Sequence, residues 1–111
     1  MAISPFSDEV RKIVLVHIQD QQLIDVDLLA TQLAMHPSQV YRKLKAELGI
    51  NPSKFIRTLR LEVAEEYLLK TDISVKAIAF RVGFSSSSYF VQCFKAHFGY
   101  TPKAYRQMHD N

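Results

Sequence analysis

Residues 44–55 read LKAELGINPSKF, and residues 94–105 read FKAHFGYTPKAY. These two stretches decide the reading of the chain. Lys45, Ala46, Gly49, Pro52 and Phe55 in the first correspond to Lys95, Ala96, Gly99, Pro102 and Tyr105 in the second. Each stretch closes one helix at a glycine and opens the next at a proline, since proline suits the first helical position and glycine the position after the last. The chain therefore carries one supersecondary pattern twice.

Working outward, each copy is preceded by a short helix and a tight turn. In the first, Leu29, Ala30 and Leu33 form the inner face of a helix from Val26 or Asp27 to Ala34. A third helix, Pro37 to Leu48, then has Val40, Leu44 and Leu48 on one side. In the second, Ser74 caps a helix running to Val82 with Ile78, Ala79 and Val82 inward. Gly83 makes the turn, and a helix from Ser86 to His97 keeps Phe90, Phe94 and Phe98 in register. A short helix, a tight turn and a second helix with an apolar inner stripe is the helix-turn-helix pattern. Ser85 to Ser88 supply a cap and a first turn rather than a low-complexity linker.

The remaining segments fit around these. Ser7, followed by Asp8 and Glu9, is expected to cap a first helix whose stripe is Val10, Ile13, Val14, His17 and Ile18 and which ends near Asp20. Asn51 and Pro52 open a fourth helix reaching Lys70, with Phe55, Ile56, Leu59, Val63, Tyr67 and Leu68 at helical spacing. At 1.5 Å per residue it spans roughly 25 Å. Thr101 and Pro102 begin a last helix containing Tyr105 and Arg106. The expected fold is all-α, with residues 1–6 an extension, 7–50 and 72–108 the two helix-turn-helix subdomains, 51–71 the linker helix and 109–111 a tail.

At 111 residues the chain suits one domain with its own core. Its net charge of +3 favours an anionic partner, and between Asp72 and Asp110 there is no acidic residue. Lys76, Arg81, Lys95, Lys103 and Arg106 make that third a surface of one sign. No nucleophile with a neighbouring base, glycine-rich phosphate loop or paired carboxylates stands out, so the chain does not read as an enzyme. His17, His36, His97 and His109 have no ligand spacing with Cys93 or with carboxylates, and neither metal nor cofactor is expected. Cys93 reads as a small buried hydrophobe beside Phe94. With no apolar run long enough for a span and no signal-peptide pattern, the expected compartment is the cytoplasm, without membrane contact.

Projection of the two second helices shows what each offers to solvent. Ser38, Arg42 and Lys45 lie opposite Val40 and Leu44; Ser88, Gln92 and Lys95 lie opposite Phe90 and Phe94. A short hydroxyl, a long polar side chain and a lysine recur at the spacing i, i+4, i+7. Arginine can fork onto guanine and glutamine onto adenine in a major groove, while lysine suits phosphate. The phenylalanines are spaced as core rather than as a stacking platform for single strands. Arg60, among Leu59, Leu61 and Ala64, is expected in a structural ion pair.

These residues resemble the DNA-binding domain of the AraC family. The resemblance runs through Ile78, Ala79, Val82, Gly83, Phe84, Ser85, Ser88, Tyr89, Phe90, Phe94, Lys95, Gly99, Thr101, Pro102, Tyr105 and Arg106. It continues in Leu29, Ala30, Arg42, Leu44, Gly49, Pro52, Phe55, Ile56, Arg60, Leu61, Ala64, Leu68 and Leu69, covering Phe6 to Met108. It implies a monomeric domain of seven helices, two helix-turn-helix units joined by the long fourth helix and reading adjacent major grooves of duplex DNA in bacterial transcription regulation. Carried over by position, Ser38, Gln39, Arg42, Ser87, Ser88 and Gln92 are expected to contact bases, and Lys45, Arg57 and Lys95 phosphates. The family often has arginine where this chain has Gln92, so the second unit is expected either to prefer adenine or to bind weakly. His36 stands where the family commonly places a serine cap. The resemblance further implies an output domain of a longer regulator with a sensing or dimerisation domain. Glu62, Glu65 and Glu66 on the linker helix form an acidic patch that suits RNA polymerase or another domain.

Overall fold

The computed structural model describes residues 5–19 and 24–110, which hold seven helices and no strand. They are α1 (Pro5–Gln19), α2 (Val26–Leu33), α3 (Pro37–Leu48), α4 (Pro52–Lys70), α5 (Val75–Arg81), α6 (Ser87–Phe98) and α7 (Pro102–Met108). The chain divides into two compact units between Leu59 and Arg60, inside α4.

The caps explain most of the boundaries. Asp25 accepts the Leu28 N–H at 2.9 Å, Asn51 that of Lys54 at 2.8 Å, Ser74 that of Ala77 at 3.1 Å, Ser86 that of Tyr89 at 3.1 Å and Thr101 that of Ala104 at 3.2 Å. Each bond satisfies a donor that the first helical turn would otherwise leave unpaired. Gly49 and Gly99 end α3 and α6 at φ 74° and 87°, a left-handed conformation that costs glycine little.

Ser7 does not cap α1. The helix begins at Pro5, inside the stretch expected as an extension, and Ser7 is buried within its first turn. Pro5 is pre-set for that turn, and Phe6 gains a contact, with Lys43 Nζ lying 4.7 Å from its ring centroid. The expected end near Asp20 lies outside the described residues.

In the first unit the buried residues are Val10, Val14 and Ile18 of α1, Ile24, Leu29 and Ala30 around α2, Val40 and Leu44 of α3, and Ile56 and Leu59 of α4. Leu33 and Leu48, expected inward, are only half-buried. At about 1.5–3 kcal/mol for each fully buried aliphatic side chain, this stripe is what holds the short α2 and α3 in helical form.

The second unit has an aromatic core. Leu61, Ala64 and Leu68 of α4 meet Ile78, Ala79, Val82, Phe84, Phe90 and Phe94. Phe84 stands edge-on to Phe90 at 5.2 Å between centroids, and Phe94 lies 4.4 Å from Phe98 and 5.4 Å, edge-on, from Tyr105. The spacing of Phe84, Phe90, Phe94 and Phe98 thus builds core, whereas Phe80, Tyr89 and Tyr100 are about half exposed. Cys93 is half-buried against this cluster rather than enclosed in it.

Three polar ties lock the second unit. Arg60 donates from Nη1 to the Val82 carbonyl at 2.7 Å, so its partner is a backbone oxygen and not the expected acid. Burial pulls its pKa below the ordinary guanidinium value, which a carboxylate partner would oppose. The Tyr105 hydroxyl donates to Glu65. Arg106 donates to the carbonyls of Leu68 at 3.0 Å and Thr71 at 3.2 Å, capping the C-terminal end of α4. Arg106 is therefore committed to the interior of its unit and does not join the basic surface of the C-terminal third.

Candidate nucleic-acid interface

In the first unit α2 and α3 are joined by Ala34, Met35 and His36. Ala34 is left-handed at φ 54°, and the Met35 N–H reaches back to the Ala30 carbonyl at 2.9 Å. The second unit repeats this bond as Phe84 N–H to the Ala79 carbonyl, also 2.9 Å, with Gly83 left-handed at φ 95°. Its turn is longer, running from Val82 to Ser86. A Cβ on Gly83 would overlap the Arg60 guanidinium, so a larger residue there would strain the left-handed backbone and push Arg60 off the Val82 carbonyl.

The turns aim α3 and α6. Val40 and Leu44 are fully buried in α3, as are Phe90 and Phe94 in α6. Opposite them Ser38, Gln39, Arg42 and Lys45 of the first unit are exposed, as are Ser88, Gln92 and Lys95 of the second. Ser87 and Arg57 are half-buried, and Arg57 has an interaction of its own within the chain. Arg42 Nε lies 3.4 Å from the Ser38 carbonyl, too long to hold it firmly, and Lys45 Nζ lies 3.3 Å from the Gly49 carbonyl. Gln39, Arg42 and Lys43 also line an open depression beside α3 with Met35 and Ala46. Lys43 was not among the expected contacts; its place in the cationic run Arg42, Lys43, Lys45 was the available sign.

The two helices differ in how they begin. Ser86 is an ordinary hydroxyl cap for α6. In α3 the cap is His36, whose Nδ1 accepts the Ser38 N–H at 3.2 Å, while the Gln39 Oε1 accepts the His36 N–H at 2.9 Å. This reciprocal capping box gives α3 a regular start at Pro37 despite the missing serine. In the sequence His36 stands out only as a departure from a serine cap. Gln39 three residues later was the signal for the box.

The acidic patch on α4 is less available than its composition suggests. Glu65 accepts from Tyr105, and Glu62 has an interaction within the chain, while Glu66 is exposed. Among the described residues no group of three or more His, Cys, Asp or Glu side chains is placed to hold a metal ion. No helix there is long and apolar enough to cross a membrane.

Two helix-turn-helix units, each with an exposed polar face opposite a buried stripe, define a double helix-turn-helix fold. Comparison with known proteins then gives the family. A helix-turn-helix domain family matches residues 29–108. The transcriptional activator RhaS of Escherichia coli (strain E24377A) is 33% identical over 94 residues, covering 85% of this chain and 33% of RhaS. The chain thus spans about a third of the length of the curated relatives it matches. A Chromobacterium violaceum transcriptional regulator, described as containing an AraC-type DNA-binding domain, superposes with a TM-score of 0.83 at 26% identity, covering 97% of this chain and 98% of that one. The DNA-binding domain of AdpA, a global transcriptional factor solved with a target DNA, gives a TM-score of 0.81 at 30% identity, covering 91% and 89%. The chain belongs to the AraC-type helix-turn-helix family of transcriptional regulator DNA-binding domains, and this is not a family of enzymes.

Proposed function

We propose that this chain binds duplex DNA sequence-specifically through α3 and α6, placed in adjacent major grooves, as the output domain of a longer transcription regulator. The observation that carries the reading is the matched pair of exposed faces. Ser38, Arg42 and Lys45 on one, and Ser88, Gln92 and Lys95 on the other, stand at the same spacing opposite buried stripes. The complex of AdpA with its target DNA supports it.

In this reading residues 7–50 and 72–108 are the two reading subdomains and 51–71 the helix that joins them. Arg42 forks onto a guanine, and Gln92 meets adenine. Ser38, Gln39, Ser87 and Ser88 are short or flexible enough to complete base contacts. Lys45, Arg57 and Lys95 neutralise phosphates. A sensing or dimerisation domain elsewhere in the same regulator supplies the signal, the exposed Glu66 region of α4 is open to RNA polymerase, and the protein works in the cytoplasm.

The test is selection of binding sites from a random duplex pool with the purified chain, followed by affinity against salt. Two short motifs about one helical turn apart, with affinity falling steeply as salt rises, are expected. Absence of any enriched motif would overturn sequence-specific reading by this chain.

A further inference from the structure

The start of α3 contains a hydrogen-bond arrangement that reaches beyond capping. His36 Nδ1 lies 3.2 Å from the Ser38 backbone nitrogen and 2.8 Å from the Ser38 Oγ. A backbone N–H can only donate, so Nδ1 carries a lone pair and the ring proton sits on Nε2. The Ser38 hydroxyl, facing that same lone pair, must then be the donor. Its proton is turned back toward the imidazole, and only oxygen lone pairs remain for an outside partner.

Gln39 is constrained in the opposite sense. Its Oε1 accepts the His36 N–H at 2.9 Å, which leaves the amide NH2 outward. That bond takes one of the two lone pairs of Oε1 and turns the oxygen back toward His36, so the end of the amide presented outward is the donor. Both side chains are exposed. The second unit has no counterpart: Ser86 caps through Oγ, and residue 89, where a box partner would stand, is a tyrosine.

We infer that His36 is a specificity-determining residue, which fixes Ser38 as a hydrogen-bond acceptor and Gln39 as a donor toward the bases that α3 reads. This rests on the reading of α3 as a base-contacting helix. In the major groove the donors are the N4 amino group of cytosine and the N6 amino group of adenine; the acceptors are N7 of the purines, O6 of guanine and O4 of thymine. Ser38 therefore selects adenine or cytosine at its position, and Gln39 selects an acceptor edge at its own.

The experiment is site selection from one random duplex pool with the wild-type chain and with His36→Ser, His36→Asn, Ser38→Ala and Arg42→Ala. Circular dichroism checks that each variant is folded. The wild type should prefer adenine or cytosine about fivefold over guanine or thymine at one position of the first motif, the scale of a single hydrogen bond. Ser38→Ala should abolish the preference there. His36→Ser, which keeps a cap but frees the hydroxyl proton, should also abolish it, leaving other positions unchanged. His36→Asn, whose Oδ1 should accept the i+3 N–H as Asn51 does and so leave Ser38 free, should lose it as well. An unchanged preference in folded His36→Ser would overturn the role of His36. If Arg42→Ala altered no position of the motif either, the reading of α3 as a base-contacting helix would fall with it.

Discussion

The two units share one helix-turn-helix pattern and stabilise it by different means. The first packs aliphatic side chains under α3 and displays Arg42, Lys43 and Lys45 outward. The second packs Phe84, Phe90 and Phe94 under α6, ties α4 to α5 and α7 through Arg60, Tyr105 and Arg106, and displays one lysine and no acid on α6. The contrast teaches that a turn geometry can be kept while rigidity and recognition are assigned to separate residues. The aromatic unit carries the long-range polar ties, and the aliphatic unit carries the denser cationic face.

The largest test of this contrast lies in the core. Phe94→Ala removes a ring that meets Phe90, Phe98 and Tyr105, and should destabilise the second unit by about 3–5 kcal/mol in urea unfolding. A loss under 1 kcal/mol would mean that the aromatic cluster is not what holds this unit. Gly83→Ala comes next, at about 2–4 kcal/mol, since the left-handed cost adds to an overlap with Arg60. Gly49→Ala, also left-handed but with open space around its Cβ, should cost only about 1 kcal/mol. Equal costs at the two glycines would show that the Arg60 contact is immaterial.

On the recognition faces, Arg42→Ala should cost about 1–3 kcal/mol of affinity for the preferred site and relax one base position, while Lys45→Ala should weaken all sequences alike. Identical behaviour of the two across a set of sites would erase the division between base and phosphate contacts.

Tyr105→Phe should cost about 1–2 kcal/mol by removing the bond to Glu65. That bond raises the Tyr105 pKa above its ordinary value, with burial and the carboxylate charge adding to it. A raised folded pKa contributes stability that is present below the unfolded pKa of about 10 and is lost as pH rises through the folded one. The variant should accordingly show a shallower loss of stability above pH 10, readable as melting temperature against pH. The smallest expected effect is Ala34→Gly, a gain of about 1 kcal/mol or less in the first unit, because glycine takes φ 54° without the strain that alanine bears.

Much of this was legible because it is local. Pro37, Pro52 and Pro102 mark helix starts, Gly49 and Gly99 mark ends, and Ser74 caps where its position predicts, while Ser86 and Thr101 cap helices that begin one residue later than expected. The exposed faces of α3 and α6 followed from the 3.6-residue period alone. Ser7 misled because a serine before two acids looks like a cap, and burial of its side chain was not visible from its neighbours. Ala34 gave no sign of a left-handed turn, since alanine ordinarily favours helix. Arg60 is structural, as its apolar neighbours in α4 imply, but its partner is a backbone carbonyl and not an acid.

By itself, then, the sequence determined seven helices, the duplication, the inner stripes and the outward triplets, for these depend on bonds and contacts within about four residues of chain. Only the tertiary structure decided what Arg60, Glu65 and Arg106 do. Their partners lie 22 to 40 residues away along the chain, at Val82, Tyr105, Leu68 and Thr71, and no local pattern encodes which distant carbonyl or hydroxyl a folded chain brings within hydrogen-bonding distance.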